Sequence, residues 1–208
     1  TYKKNGLLDR TTFIVTTDHG FKKVTHFAYP NVTLRKAGLL DVAGPRVVRS
    51  DASVVGGGGT AMVYITDPAR REELKPRVRE LLLASEGVAE VIDGDLGPTL
   101  GMPSPATSER MGDFILFPKD GYCFRDTAAG ELAVAPAQNY AGTHGHRADD
   151  HDLDGIFIIS GHGIKRGVVL ERMTNLDVAP TAARLLGISL PAAEGRVLEE
   201  VIQPAVAR

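Results

Sequence analysis

The chain has 208 residues, of which 43% are apolar and 24% charged, and its formal net charge of −2 gives no basic field for nucleic acid and no polybasic membrane patch. That length holds one large domain or two small ones, with room for a sizeable core, and an anionic substrate would need local positive charge that metal ions can supply. The single cysteine, Cys123, excludes an intrachain disulfide and a thiolate zinc site, which leaves oxygen and nitrogen ligands.

No apolar run approaches the roughly 20 residues of a membrane span, so no membrane segment is expected in this chain. Residues 1–10 lack the apolar region of a signal peptide. They read as the end of an amphipathic helix closing near Gly6, whose start is not present, so the expectation is an incomplete polypeptide. The run from Thr11 to Gly20, Thr-Thr-Phe-Ile-Val-Thr-Thr-Asp-His-Gly, is then a buried-looking strand that ends in a carboxylate, an imidazole and a glycine. Open α/β sheets place ligands at the carboxyl ends of their strands. Neighbouring side chains on a regular strand point to opposite faces, so Asp18 and His19 can reach one site only where the strand breaks into a turn. Histidine is a common nitrogen ligand of zinc, and an Asp-His pair suits a borderline-soft ion, although a capping aspartate and a hydrogen-bonded histidine explain an isolated pair equally well.

Beyond Gly20 the pattern is irregular as far as Pro45, with short pieces such as Gly38-Leu39-Leu40-Asp41-Val42 that suit small strands or a turn. Gly56-Gly57-Gly58-Gly59 superficially resembles a phosphate loop, but no Lys-Ser or Lys-Thr follows and the next element is a strand, so it reads as a flexible connector. Ala61 to Thr66 is a strand. Asp67-Pro68 caps a helix carrying Leu74, Val78, Leu81 and Leu82 on one face, with Pro76 kinking it or marking its start, and Gly87 ends it. Val88 to Ile92 and Met111 to Phe117 are two further strands, so residues 60–125 form a compact α+β unit of lid type.

Gly142-Thr143-His144-Gly145-His146 follows, and then an acidic loop and Gly155-Ile156-Phe157-Ile158-Ile159-Ser160-Gly161, a strong buried-strand signal. His144 lies between glycines that permit close backbone approach and is the best partner for Asp18 and His19. His146 reads as a solvated or hydrogen-bonded side chain. Asp149, Asp150, Asp152 and Asp154 lack the spacing and central glycine of an EF-hand and read as solvated surface. Spacing alone leaves open whether His146, Asp149 or Asp150 assists at the site. His26, His151 and His162 have no partner pattern, and Cys123 reads as a small core residue. Thr174-Asn175-Leu176-Asp177 opens a last helix, carrying Val178, Ala182, Leu185 and Leu186 to a stop at Gly187.

Three motifs in order, Ile14-Val15-Thr16-Thr17-Asp18-His19-Gly20, Gly142-Thr143-His144-Gly145 before Ile156 to Gly161, and Asp177-Val178-Ala179-Pro180-Thr181 running to Gly187, resemble the alkaline phosphatase superfamily. Its nucleotide pyrophosphatase/phosphodiesterase branch is the nearest. The resemblance implies an α/β fold with a mainly parallel central sheet flanked by helices: residues 1–21 and 141–208 in the catalytic core, 22–140 as inserted α+β lid and connecting loops, and the N-terminal half of the core absent. It also implies two divalent metal ions, most simply Zn2+, held by six side chains and bridged by substrate phosphate. Asp18 and His19 would serve one ion and His144 the other. In that family an earlier half supplies a Thr or Ser nucleophile, an aspartate and an Asp-x-x-x-His pair; no such pair occurs here, so no catalytic nucleophile is expected in this chain and residues 1–208 alone are expected to be inactive. Where the family commonly has Asp-Asn after His-Gly, this chain has His146-Arg147-Ala148-Asp149-Asp150, and Gly161-His162-Gly163 replaces a common Gly-Pro-Gly.

The implied function is phosphodiester or nucleotide pyrophosphate hydrolysis by in-line displacement, on a phosphate-ester or nucleotide substrate, with the missing half of the same protein as a structural partner. The other readings are a phosphomonoesterase, phosphomutase or phosphonate hydrolase of the same superfamily, and a non-catalytic binding domain that keeps the fold. The family is often periplasmic or extracellular, and the segment that would carry such a signal lies outside this sequence.

Overall fold

The computed structural model describes residues 1–139 and 142–204. In chain order the elements are β1 (Thr12–Thr16), β2 (Lys22–Lys23), β3 (His26–Ala28), α1 (Pro30–Lys36), β4 (Leu40–Ala43), β5 (Arg46–Ser50), β6 (Ala52–Gly58), β7 (Ala61–Ile65), α2 (Arg71–Leu83), β8 (Val88–Asp93), β9 (Phe114–Pro118), β10 (Tyr122–Arg125), β11 (Val134–Pro136), β12 (Gly142–Thr143), β13 (Phe157–Gly161) and α3 (Val178–Leu186). They fall into two compact units, one made of Thr1–Gly20 with Gly155–Arg208 and the other of Phe21–Asp154. The boundary expected between residues 140 and 141 falls on Tyr140 and Ala141, which lie outside the described residues.

In the Phe21–Asp154 unit a seven-stranded sheet runs β11-β3-β10-β6-β7-β9-β8. Only β3 and β10 pair in parallel; the other pairings in this sheet are antiparallel, and β1 also pairs antiparallel with β13. The expected mainly parallel central sheet is therefore wrong for this chain. Apolar runs of five to seven residues look alike in either orientation, because periodicity reports burial and not direction. Direction follows from the connections, and here the link from β6 to β7 is a tight hairpin that only antiparallel neighbours can use.

The alternation along β7 is clean: Ala61, Val63 and Ile65 are buried while Met62 and Tyr64 are not. The buried set meets Leu74, Val78 and Leu82 of α2, spaced four residues apart on one helical face. Asp67 caps the turn before α2 by accepting the Ala69 N–H at 3.0 Å, and Pro76 lies inside α2 instead of starting it. β9 is covered on both sides. Phe114 and Leu116 join the α2 side, whereas Ile115 and Phe117 pack with Met111 on the other. α1 docks through Asn31, which is buried yet satisfied: its amide donates to the carbonyls of Val54 and Asp126 at 2.7 and 2.6 Å and its carbonyl accepts the Val54 N–H at 2.7 Å. The irregular stretch after Gly20 thus holds α1 and three short strands, β2 to β4, too brief for periodicity to reveal.

The glycine run was expected to be a connector, but Gly56, Gly57 and Gly58 belong to β6. Residues 1–6 form hydrogen-bonded turns, not a helix end, although Gly6 does take the left-handed conformation with φ +66°.

In the other unit β1 and β13 form a two-stranded sheet in register from Thr12↔Gly161 to Thr16↔Phe157. One face, Phe157 and Ile159, packs on Leu198, Val201 and Ile202. The opposite positions are open, with Val15 52% and Ile158 58% exposed, so the expected full burial of these strands is not met among the described residues. α3 follows a turn at Asn175–Asp177, where Thr174 and Asp177 cap one another, and ends at Gly187 with φ +69°. Its buried residues are Pro180, Thr181 and Ala183, while Leu186 is exposed.

Candidate metal-binding residues

The turn after β1 is built by interlocking short-range bonds. The Thr17 N–H donates to the Ile156 carbonyl at 3.2 Å and the Thr17 hydroxyl accepts the Ile156 N–H at 3.0 Å, extending the ladder one step past the last strand pair. Gly155 makes room for this, since a Cβ there would stand 2.8 Å from Thr17 Oγ1. The chain then leaves the strand. Asp18 Oδ1 accepts the His19 N–H at 3.0 Å, and His19 Nδ1 lies 2.8 Å from the Gly20 carbonyl oxygen. A carbonyl only accepts, so Nδ1 carries the proton of that bond and a neutral His19 presents its lone pair at Nε2.

His19 Nε2 faces Asp18 Oδ2 at 3.5 Å. An oxygen donor and a nitrogen donor at that spacing can both reach one metal ion. Two donors on one tetrahedral zinc, with bonds of about 2.0–2.1 Å, lie about 3.3 Å apart. The spacing, the oxygen–nitrogen donor set and the carbonyl-fixed tautomer, a usual feature of ligating histidines, all fit such an ion. Asp18 and His19 are two donors only, and among the described residues no group of three or more His, Cys, Asp or Glu side chains is gathered for a metal.

His144 lies in the Phe21–Asp154 unit, exposed, just after β12. That strand pairs Gly142 with Lys23 and Thr143 with Lys22 of β2. The segment rests on the glycine run. The Gly59 N–H donates to the His144 carbonyl at 2.9 Å and the Thr60 hydroxyl donates to the Gly145 carbonyl. A Cβ on Gly58 would come within 2.7 Å of that same His144 oxygen, and one on Gly59 would overlap the His146 ring. Phe21 meets the His144 ring edge-on, with centroids 6.2 Å apart. Of the β6 glycines it is Gly58 that this backbone covers; a Cβ on Gly56 would instead meet Ala61 and Thr60 of the hairpin, and one on Gly57 would meet nothing within 4 Å.

Asp149, Asp152 and Asp154 are solvent-exposed as expected, whereas Asp150 and His146 are partly buried. The His146 ring is half-buried, with Nε2 3.4 Å from the Tyr122 carbonyl and Nδ1 buried without a partner among the described residues. Burial pushes its pKa below the usual imidazole value, a trend the Tyr122 carbonyl opposes. Lys22 from β2 binds Asp150 at 2.5 Å and Asp120 at 3.1 Å, and its ammonium holds the Asp150 carboxyl below the usual range. Asp149 pairs with Arg147 and Asp154 with His151. His26 stacks on Tyr122 with centroids 5.0 Å apart, and Cys123 is fully buried, its thiol pushed up by desolvation.

A family profile described as type I phosphodiesterase / nucleotide pyrophosphatase matches residues 1–147, a stretch that contains Asp18, His19 and His144. This sets the chain within the alkaline phosphatase superfamily. The chain belongs to the type I phosphodiesterase / nucleotide pyrophosphatase family. Among solved structures it is similar to murine ectonucleotide pyrophosphatase / phosphodiesterase 5, an inactive variant in complex with AMP, with a TM-score of 0.70 at 14% identity. The similarity covers 97% of this chain and 48% of that one, so the chain spans about half the length of this relative. At that identity the likeness speaks for the fold. No curated protein matches the chain. Among the described residues no helix is long and apolar enough to cross a membrane.

Proposed function

We propose that these residues form part of a metal-dependent phosphodiesterase or nucleotide pyrophosphatase, in which Asp18 and His19 hold one divalent ion, most simply Zn2+, and His144 contributes to a second. The observation that carries this reading is the convergence of Asp18 Oδ2 and His19 Nε2 at 3.5 Å with the ring tautomer set by the Gly20 carbonyl. When bound, two such ions neutralise charge on the phosphoryl oxygens and ease ionisation of the attacking hydroxyl. This chain's own part is to present the donors in fixed orientation: β1, tied to β13 through Thr17, aims the Asp18–His19 turn, and the glycine strip of β6 seats His144. Family membership, and the AMP bound by the similar murine protein, favour a nucleotide or other phosphate ester as substrate. Residues 22–140 act in this reading as the lid and its connecting loops.

The attacking group is assigned to a Thr or Ser outside residues 1–208. Thr17 commits its hydroxyl to the Ile156 N–H, and Thr16 lies within the β1 ladder. In-line attack of that oxygen on phosphorus expels the leaving oxygen, and water then cleaves the phosphoryl-enzyme ester.

In the full-length protein, chelation is expected to abolish turnover of a bis-aryl phosphate. Asp18→Ala and His144→Ala are each expected to lower both bound zinc and turnover by at least about a hundredfold, in the range set by loss of a metal-held transition state. Full activity with unchanged zinc in Asp18→Ala overturns the assignment. A preference for mono-aryl over bis-aryl phosphate would move the protein to the phosphomonoesterase reading.

A further inference from the structure

We infer that Asn175 is a positioning residue for the Asp18–His19 pair, an inference that rests on the metal-binding reading of that pair. The Asn175 side-chain amide donates to the Asp18 backbone carbonyl at 2.7 Å, across 157 residues of sequence. The carbonyl of Asp18 belongs to the peptide plane that joins the two candidate ligands. Rotating that plane changes ψ of Asp18 and φ of His19 together, and so changes the angle between their side chains. A donor that pins this oxygen therefore fixes the relative aim of Oδ2 and Nε2.

The bond is anchored at both ends. On one side Thr17 is held by two hydrogen bonds to Ile156, so the chain enters the turn in a set direction. On the other side Asn175 opens a turn whose third residue, Asp177, is 5% exposed and accepts the N–H groups of Thr174 at 2.9 Å and Arg196 at 2.9 Å. Gly195 lies so close to Leu176 and Asp177 that a Cβ there would overlap the Leu176 carbonyl, which packs the residues after Asn175 tightly. Asn175 is thus a short donor on a rigid base, reaching the one peptide on which both ligands hang. Asn is a poor choice for stabilising a helical turn by propensity. Its amide N–H is what the position uses.

The inference predicts a change in metal affinity that a merely structural role would not produce. In the full-length protein, zinc affinity is measured by competition with a chromogenic chelator, together with melting temperature, for Asp18→Ala, Asn175→Leu and Asn175→Gln. Leu keeps the size of Asn without a donor; Gln keeps the donor on a longer arm. Asn175→Leu is expected to weaken zinc binding about tenfold, the low end for loss of a residue that orients a ligand, with the melting temperature of the metal-free protein unchanged. Asn175→Gln is expected to recover part of that loss. Wild-type affinity in Asn175→Leu, while Asp18→Ala loses the zinc, overturns the role of Asn175 and leaves the metal reading standing. A melting temperature that falls in step with the zinc affinity also overturns it, because the residue would then be structural. Unchanged zinc binding in Asp18→Ala overturns the metal reading itself.

Discussion

Single residues in this chain do their work by hydrogen-bond accounting. Asp177 is buried in the turn before α3, and the N–H of Thr174 first, then that of Arg196, hold its carboxyl below the usual carboxylate range. A carboxylate with a depressed folded pKa contributes stability that is complete above its unfolded value near 4 and is lost as the pH falls through the folded value. Asp177→Ala leaves two backbone donors without their acceptor, at about 1–3 kcal/mol each if neither finds water. Chemical denaturation should show that deficit at pH 7 and show it shrinking below about pH 4, where the wild-type carboxyl also protonates. An equal deficit at pH 3 and pH 7 would mean that side-chain packing, and not the charge, is at stake. Asp18 and His19 were legible as candidates because an apolar run ends in them. Asn175 was not, since nothing in Thr-Asn-Leu-Asp tells which distant carbonyl an amide will find.

At the scale of elements, the informative case is β6. A strand that gives up three side chains, at Gly56, Gly57 and Gly58, loses packing and β propensity, yet β6 sits in the middle of the seven-stranded sheet. At the end of this strand the segment after β12 lies over Gly58, and the carbonyls of His144 and Gly145 find their donors on the next two residues, Gly59 and Thr60. Gly59→Ala should therefore displace the His146 ring and the backbone at His144, with a small loss of stability, about 1–3 kcal/mol for an overpacked site. Chemical shifts of the His144 and His146 ring protons report this directly. Unperturbed rings in a folded Gly59→Ala protein would show that the seat is not needed. Composition pointed to a connector because glycine usually loosens a chain, and only the tertiary neighbour reverses that meaning. The same limit explains the missed β2 to β5 and α1: elements of two to seven residues are shorter than the windows in which a period can be read.

On the scale of the molecule, burial was legible for α2 but not for β1 and β13, whose Val15 and Ile158 are exposed, and strand direction was not legible. The face of α2 was set by spacing alone, and Leu74, Val78 and Leu82 are buried there. The parallel sheet expected from the family pattern was not found, because the strands of the Phe21–Asp154 unit are joined mostly as antiparallel neighbours. Each unit carries its own core, around α2 and β9 in one and around Leu198, Val201 and Ile202 in the other.

The ribbon of β1 and β13 has a consequence for the behaviour of the polypeptide in concentrated solution. Each strand has one hydrogen-bonded neighbour among the described residues, and each has an open apolar position on its outer face. Thr12–Thr16 and Phe157–Gly161 contain no charge and no proline and are rich in β-branched and aromatic side chains, the composition from which cross-β stacks nucleate. Val15→Lys, a charge on the open face, should slow thioflavin-positive assembly of residues 1–208 severalfold while leaving the far-UV circular dichroism unchanged; equal lag times for the two proteins would locate the hazard elsewhere. The strand that delivers Asp18 to its turn is then also the segment through which copies of this chain would first adhere.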